Sequence, residues 1–119
     1  MTGLTVYGLK NCDSCKKAVR ALEQAGLAHR FFDIRTEVDL VVKVPDWLDA
    51  VGARLLLNTR STTWRNMSEE DREIANNDPA GVLIAHPTLI KRPVIEAGDA
   101  VSVGWTDATM GGLLAGVAE

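Results

Sequence analysis

The reactive side chains of this chain concentrate in one stretch, Asn11-Cys12-Asp13-Ser14-Cys15-Lys16-Lys17, with Lys10 just before it. A cysteine attacks disulfides or electrophilic oxyanions only as a thiolate, so the question is what would hold a negative sulfur there. Leu4-Thr5-Val6-Tyr7 alternates and carries β-formers, which predicts a short strand, with a turn from Gly8 to Asn11. From Ser14 to Ala25 the apolar positions Ala18, Val19, Leu22 and Ala25 recur at helical spacing, and Gly26 follows as a C-cap. A thiol at such a strand-to-helix junction meets unpaired backbone N–H groups and the positive end of the helix dipole. Lys10, Lys16 and Lys17 add positive potential. Cys12 precedes the helix and is expected to be exposed and nucleophilic. Cys15 falls in the first helical turn, more covered, and near enough to attack a mixed disulfide on Cys12. The plainer alternative is two small side chains packed under a helix, and the junction position favours chemistry over it.

Other uses of the cysteines are less well supported. Two thiols this close cannot staple distant parts of a fold. A zinc half-site would need a second Cys/His pair, and His29 and His86 lie far apart without ligand spacing, so no metal is expected. The 119 residues suit one domain, and 46% hydrophobic with 24% charged residues reads as an ordinary globular chain. A net charge of −3 with no basic tail or lysine-rich stripe argues against nucleic-acid binding. No apolar run approaches the roughly 20 residues that span a bilayer. The chain enters a strand-like segment within a few residues of Met1, which leaves no space for a signal peptide and makes a cytoplasmic location the expectation.

Arginines supply the candidate anion-binding groups. Leu89-Ile90-Lys91-Arg92-Pro93-Val94-Ile95 brings Lys91 and Arg92 to a proline entering a strand, which marks an edge or a special backbone because proline cannot donate to the ladder. Taken without the cysteine motif, a surface Lys-Arg pair before a trans proline is the expectation. Arg60 and Arg65 bracket Ser61-Thr62-Thr63-Trp64, and their planar forks suit oxyanions and carboxylates, including those of glutathione. Arg60 is evenly balanced between such a role and a solvated helix end, whereas Arg65 reads as solvated, Trp64 as a core anchor and Leu55-Leu56-Leu57 as core. Arg72 falls on a predicted surface helix and is expected to be inert.

The remaining pattern says what must position these groups. His29 to Ile34 is a second strand, so strand, helix and strand make a βαβ unit with two parallel neighbours. Val38 to Arg60 is apolar and helix-like, broken into pieces at Pro45 and Gly52. Ser68-Glu69-Glu70-Asp71 predicts an N-cap with acidic residues in the first turn. Asn76-Asn77-Asp78-Pro79 ends that helix, and Ala80 to Ala85 adds one more turn. Val94-Ile95-Glu96, a Gly98-Asp99 turn and Val101-Ser102-Val103 predict a hairpin. A closing helix starts at about Thr106, weakened by Gly111 and Gly112. The sum is an α/β fold of the thioredoxin-like plan, a mixed four-stranded sheet (βαβ … ββα) with helices on both faces. It forms a single domain over 1–119, with a core of about 1–35 and 88–119 and a helical insertion of about 36–87.

Three stretches carry a resemblance: Tyr7-Gly8-Leu9-Lys10-Asn11-Cys12-Asp13, Leu56-Leu57-Asn58-Thr59-Arg60-Ser61-Thr62-Thr63-Trp64-Arg65, and Ile90-Lys91-Arg92-Pro93. Together they resemble the ArsC family, the glutaredoxin-coupled arsenate reductases, and within it the YffB-like branch. The resemblance implies Cys12 as nucleophile, Arg60 and Arg92 as anion-binding arginines, and a cis peptide before Pro93 that exposes backbone groups to a substrate thiol. It implies binding by Asn11, Arg60, Arg92 and Pro93 and catalysis by Cys12 with Arg92, Arg60 and Cys15. It further implies a monomer without a tightly bound cofactor, with glutathione as co-substrate, glutaredoxin as a possible partner, and a small oxyanion or disulfide as substrate. The chain departs from the arsenate reductases in two places: Val101 to Trp105 holds no third arginine, and Gly8 stands near the position of their histidine. These departures place a glutathione-dependent thiol or disulfide reductase beside an arsenate reductase as the expected enzyme. The Spx-like regulators share the fold and a CxxC redox switch and bind RNA polymerase. They give the alternative, a Cys12–Cys15 switch in an interaction protein.

Overall fold

Strands and helices alternate at the start of the chain because the hydrophobic period changes from two to 3.6 at the cysteines. A computed structural model describes residues 4–98 and 100–105. In it β1 (Leu4–Gly8) leads into α1 (Asp13–Gln24) and then β2 (His29–Asp33), which pairs with β1 in parallel. After the helical middle of the chain, β3 (Val94–Ala97) and β4 (Ala100–Val103) form an antiparallel hairpin, and β3 also runs antiparallel to β1. The four-stranded order β2-β1-β3-β4 is that of a thioredoxin-like sheet, with the first strand inside it. Gly8 belongs to β1 and is not part of the expected turn; the turn is Leu9 to Cys12, closed by the Cys12 N–H on the Leu9 carbonyl at 3.2 Å. The closing helix expected from Thr106, with Gly111 and Gly112, and the turn residue Asp99 lie outside the described residues.

The chain divides into two compact units, one holding the residues up to Val38 and from Arg92 onward, the other Asp39–Lys91. In the first unit α1 buries Cys15, Ala18 and Leu22, one stripe at helical spacing, while Val19 is half-buried and Ala25 exposed. Ala18 and Leu22 join Leu4, Val6 and Ile95 in the core, with Leu27, Phe31, Ala97 and Trp105 packed around them. Each of the Leu, Val and Ile side chains contributes roughly 1.5–3 kcal/mol by leaving water. α1 ends in a Schellman motif. The Leu27 N–H donates to the Leu22 carbonyl at 3.0 Å and the Gly26 N–H to that of Glu23 at 3.1 Å, with Gly26 at φ 71°. Leu27 then turns back onto the core it caps.

The second unit begins with α2 (Leu40–Val51), capped by Asp39, whose side chain accepts from the Val41 N–H at 3.2 Å. Pro45 does not break this helix, contrary to expectation. It removes one intrahelical bond and crowds the preceding turn, an effect worth about 3 kcal/mol, but Leu40, Val44 and Trp47 form a buried stripe that holds the helix through it. Gly52 does end α2, and α3 (Ala53–Leu56), α4 (Thr62–Arg65), α5 (Glu69–Asn77) and α6 (Pro79–Ala85) follow. Ser68 caps α5 through the Asp71 N–H at 3.1 Å, and Asp78 caps α6 through the Gly81 N–H at 3.2 Å. Leu56 and Leu57 are core, but Leu55 is 54% exposed, so the three leucines are not one buried run. Among the described residues no helix is long and apolar enough to cross a membrane.

Gly26 gives the first testable outcome. A Cβ there would meet nothing within 4 Å, yet φ is +71°, so Gly26→Ala imposes backbone strain alone. It should cost roughly 1 kcal/mol, read as a lower urea midpoint with an unchanged slope.

Candidate active site

Cys12 is the N-cap residue of α1, extended at φ −94° and ψ 125°, and its carbonyl accepts the first helical bond from the Lys16 N–H at 3.0 Å. Its side chain is half-buried at the mouth of the helix. Cys15, one turn on, is 1% exposed. Asn11 is exposed in the turn that delivers Cys12. Both cysteines are free thiols.

The second component arrives through the sheet. Val94 pairs with Tyr7, and extending that antiparallel register puts Pro93 and Arg92 alongside Gly8 and Leu9, where β1 gives way to the cysteine turn. The Arg92–Pro93 peptide is cis. Pro93 is buried, and its carbonyl accepts from the Gly104 N–H at 2.9 Å, which ties this corner to the end of β4. Tyr7 locks the adjacent register: its hydroxyl donates to Glu96 Oε1 at 2.9 Å and its ring stacks on Phe32 at 5.9 Å.

The two thiols respond to this setting in opposite directions. Burial works against ionising Cys12, but the Cys15 backbone N–H, the Arg92 side chain and the Cys15 thiol all bond to its sulfur, and the Arg92 charge attracts it; the net effect lowers its pKa below the ordinary thiol value. For Cys15, burial dominates. Although a backbone bond from Leu9 and the Arg92 charge oppose it, the negative charge and hydrogen bonding of Cys12 add to burial and push the thiol up to about 12. Cys12 is therefore the more acidic of the two thiols, and Cys15 the one that burial keeps protonated. Beside them a recess of about 330 Å³ is lined by the basic Lys10, Lys16 and Arg20, the acidic Glu23 and the apolar Leu9, Val19 and Phe31, with Cys15 in its wall. Three basic groups against one acidic one favour an anionic organic molecule.

Cys12, Cys15, Arg92 and Pro93 thus come together within one unit. Arg60 stands exposed in the other, its N–H held by Asn58 Oδ1 at 3.1 Å in a tight turn. Arg65 is exposed as expected, while Trp64 is only half-buried and is not a core anchor. The expectation for Arg72 needs correction. Its Nε donates to the Trp64 carbonyl at 3.2 Å, its Nη2 to the Arg65 carbonyl at 2.9 Å, and its guanidinium lies 5.8 Å from the Trp64 ring centroid. It satisfies the carbonyls at the end of α4 and so holds the segment that follows Arg60. Helical spacing alone hid this, because the acceptors belong to another helix. Among the described residues no group of three or more His, Cys, Asp or Glu side chains could hold a metal ion.

Comparison with known proteins adds a family. The ArsC family model matches residues 7–112. A Haemophilus influenzae protein without assigned function is 36% identical over 105 residues, covering 87% of this chain and 92% of its own. The global transcriptional regulator Spx 2 of Bacillus anthracis is 24% identical over 106 residues, covering 87% and 81%. Among solved structures, a YFFB protein superimposes with a TM-score of 0.83 at 29% identity over 93% of this chain and 98% of its own. An arsenate reductase related protein of Brucella melitensis gives 0.75 at 32% identity over 94% of each.

Three outcomes follow from this geometry. Limiting iodoacetamide at neutral pH should label Cys12 well before Cys15, and Arg92→Ala should move the midpoint of the Cys12 alkylation-pH profile upward, since it removes both a hydrogen bond and a positive charge from the thiolate. Equal labelling of the two thiols would contradict the assignment. Arg72→Ala should destabilise the protein by about 1–2 kcal/mol in urea unfolding, through the α4 carbonyls and the Trp64 face it abandons.

Proposed function

The chain belongs to the ArsC family, and from that footing we propose that it is a glutathione-dependent thiol or disulfide reductase with Cys12 as its nucleophile. The observation that carries this reading is the placement of the Cys12 sulfur at the N-terminus of α1, bonded to the Cys15 N–H and the Arg92 side chain, a setting that favours the thiolate. The thiolate attacks the glutathione sulfur of a mixed disulfide; the Cys12–glutathione S–S bond forms, the substrate S–S bond breaks, and the substrate leaves as a thiolate that takes a proton from water. Attack by a second thiol on the glutathione sulfur then returns Cys12 to its thiolate. With glutathione as that thiol, the net change is mixed disulfide plus glutathione to free thiol plus glutathione disulfide. Glutaredoxin could supply the same reducing equivalents, and the cytoplasm is the compartment that maintains them.

Arg92 serves twice in this scheme. It holds the Cys12 charge before attack and offers its fork to a glutathione carboxylate afterwards. The lysines of the turn and the rim of the recess draw an anionic substrate toward the same place. Arg60 is proposed as a second carboxylate-binding arginine on the strength of the family resemblance. An arsenic oxyanion is the other substrate class, and it would rely on the same thiolate.

A redox-switched regulator is the second reading. It is favoured by the match of Spx 2 over 106 residues together with the adjacent free thiols. Turnover separates the two. With glutathione and a glutathionylated model peptide, catalytic release of the peptide is expected, abolished by Cys12→Ser, and Arg92→Ala and Arg60→Ala should each weaken glutathione binding about tenfold or more, since one decade is about 1.4 kcal/mol. Lysine at either position should recover part of the loss. Absence of turnover with this peptide and with arsenate, alongside ready formation of a Cys12–Cys15 disulfide, would overturn the enzyme in favour of the switch.

A further inference from the structure

Gly8 is a glycine in a strand where the backbone does not call for one. It pairs with Asp33 in the β1–β2 register, and it is not among the described residues with positive φ. The space around it does call for one. A Cβ at this position would collide with Cys15 Sγ, whereas the next nearest atoms, Cys15 Cβ at 3.4 Å and Phe31 Cε2 at 3.6 Å, would stand at ordinary contact distance. The bare Cα therefore serves one atom, the sulfur of Cys15. That sulfur sits on the third residue of α1, where helix sterics leave few side-chain directions. Turned toward Gly8, it lies against the core and bonds to Cys12.

We propose that Gly8 is a positioning residue that seats the Cys15 thiol against Cys12, so that Cys15 resolves the mixed disulfide on Cys12. The proposal rests on the thiol-reductase reading and deepens it. In the step, the Cys15 sulfur attacks the Cys12 sulfur, the Cys12–Cys15 bond forms, the bond to glutathione breaks, and the glutathione thiolate leaves and takes up the proton that Cys15 gives up. Two further glutathione molecules then reduce the intramolecular disulfide, the first by forming a mixed disulfide and the second by releasing glutathione disulfide. Burial, the largest cause of the high Cys15 pKa, persists in the mixed disulfide and makes loss of its proton part of the attack; the repulsion from Cys12 is removed once Cys12 is in a disulfide, while the Leu9 bond and the Arg92 charge that favour ionisation remain.

The test compares the natural chain with Gly8→Ala, Cys15→Ala and the double variant. Each reduced protein is mixed with one equivalent of glutathione disulfide, quenched in acid and weighed by mass spectrometry, and the pH profile of Cys12 alkylation is measured alongside. The natural chain should pass to the intramolecular disulfide. Gly8→Ala should accumulate the glutathione adduct at least tenfold more, as Cys15→Ala does, and both should raise the midpoint of the Cys12 alkylation profile. In the Cys15→Ala background, adding Gly8→Ala should change nothing, because the colliding atom is gone. Should Gly8→Ala fold poorly, folding restored in the double variant supports the seat, and failure of both overturns it, since glycine would then serve the strand alone. Resolution by Gly8→Ala at the natural rate also overturns it. If neither the natural chain nor any variant takes up glutathione, the thiol-reductase reading itself fails, an outcome distinct from all of these.

Discussion

The meeting of the Cys12 sulfur with the Cys15 N–H and the Arg92 guanidinium is the interaction on which the arrangement of this unit depends. A half-buried thiolate is costly unless hydrogen bonds and positive charge meet it, and the chain supplies both from different elements. The N-terminus of α1 brings the Cys15 N–H, and the corner before β3 brings Arg92. Neither works alone. α1 reaches its place because Cys15, Ala18 and Leu22 bury one face against the sheet, and Arg92 reaches its place because β3 returns antiparallel to β1 in a register that ends at Val94 opposite Tyr7. The interior position of β1 in the sheet makes this possible, since it alone pairs with both β2 and β3.

The same constraint explains why two chemically identical side chains three residues apart acquire different roles. Cys12 stands before the helix with donors around it; Cys15 stands inside, where burial dominates and pushes its thiol up to about 12. Cys12 is therefore the more acidic of the two thiols, which is the order that the proposed nucleophile and resolving thiol require.

Much of this was legible along the chain, for reasons particular to each element. The strand-helix-strand start reads directly because the period of two in Leu4 to Tyr7 changes to helical spacing over Ala18 and Leu22, and Ser68 announces α5 through a cap that depends only on local geometry. The Asp39–Lys91 unit is harder. Pro45 looks like a break until Val44 and Trp47 are seen to be fully buried, and Leu55 looks like core until the helix turns it outward. In the site, the expectation that Cys12 is the nucleophile follows from the cysteine spacing, but the partnership of Cys12 with Arg92 spans most of the chain and depends on sheet register, which a single sequence reveals only through family resemblance. Arg72 was illegible because its acceptors are backbone carbonyls of another helix.

Gly8 shows the limit most clearly. Read locally, a glycine after a strand signals a turn, yet the residue continues the strand, and the reason for its identity lies seven positions further on. Position 8 and position 15 compete for one volume: with the Cys15 sulfur in the place observed, a side chain at 8 is excluded. Under the proposed function this close approach has a chemical consequence: the bare Cα leaves room for a second sulfur beside Cys12, which is the arrangement that disulfide exchange would use.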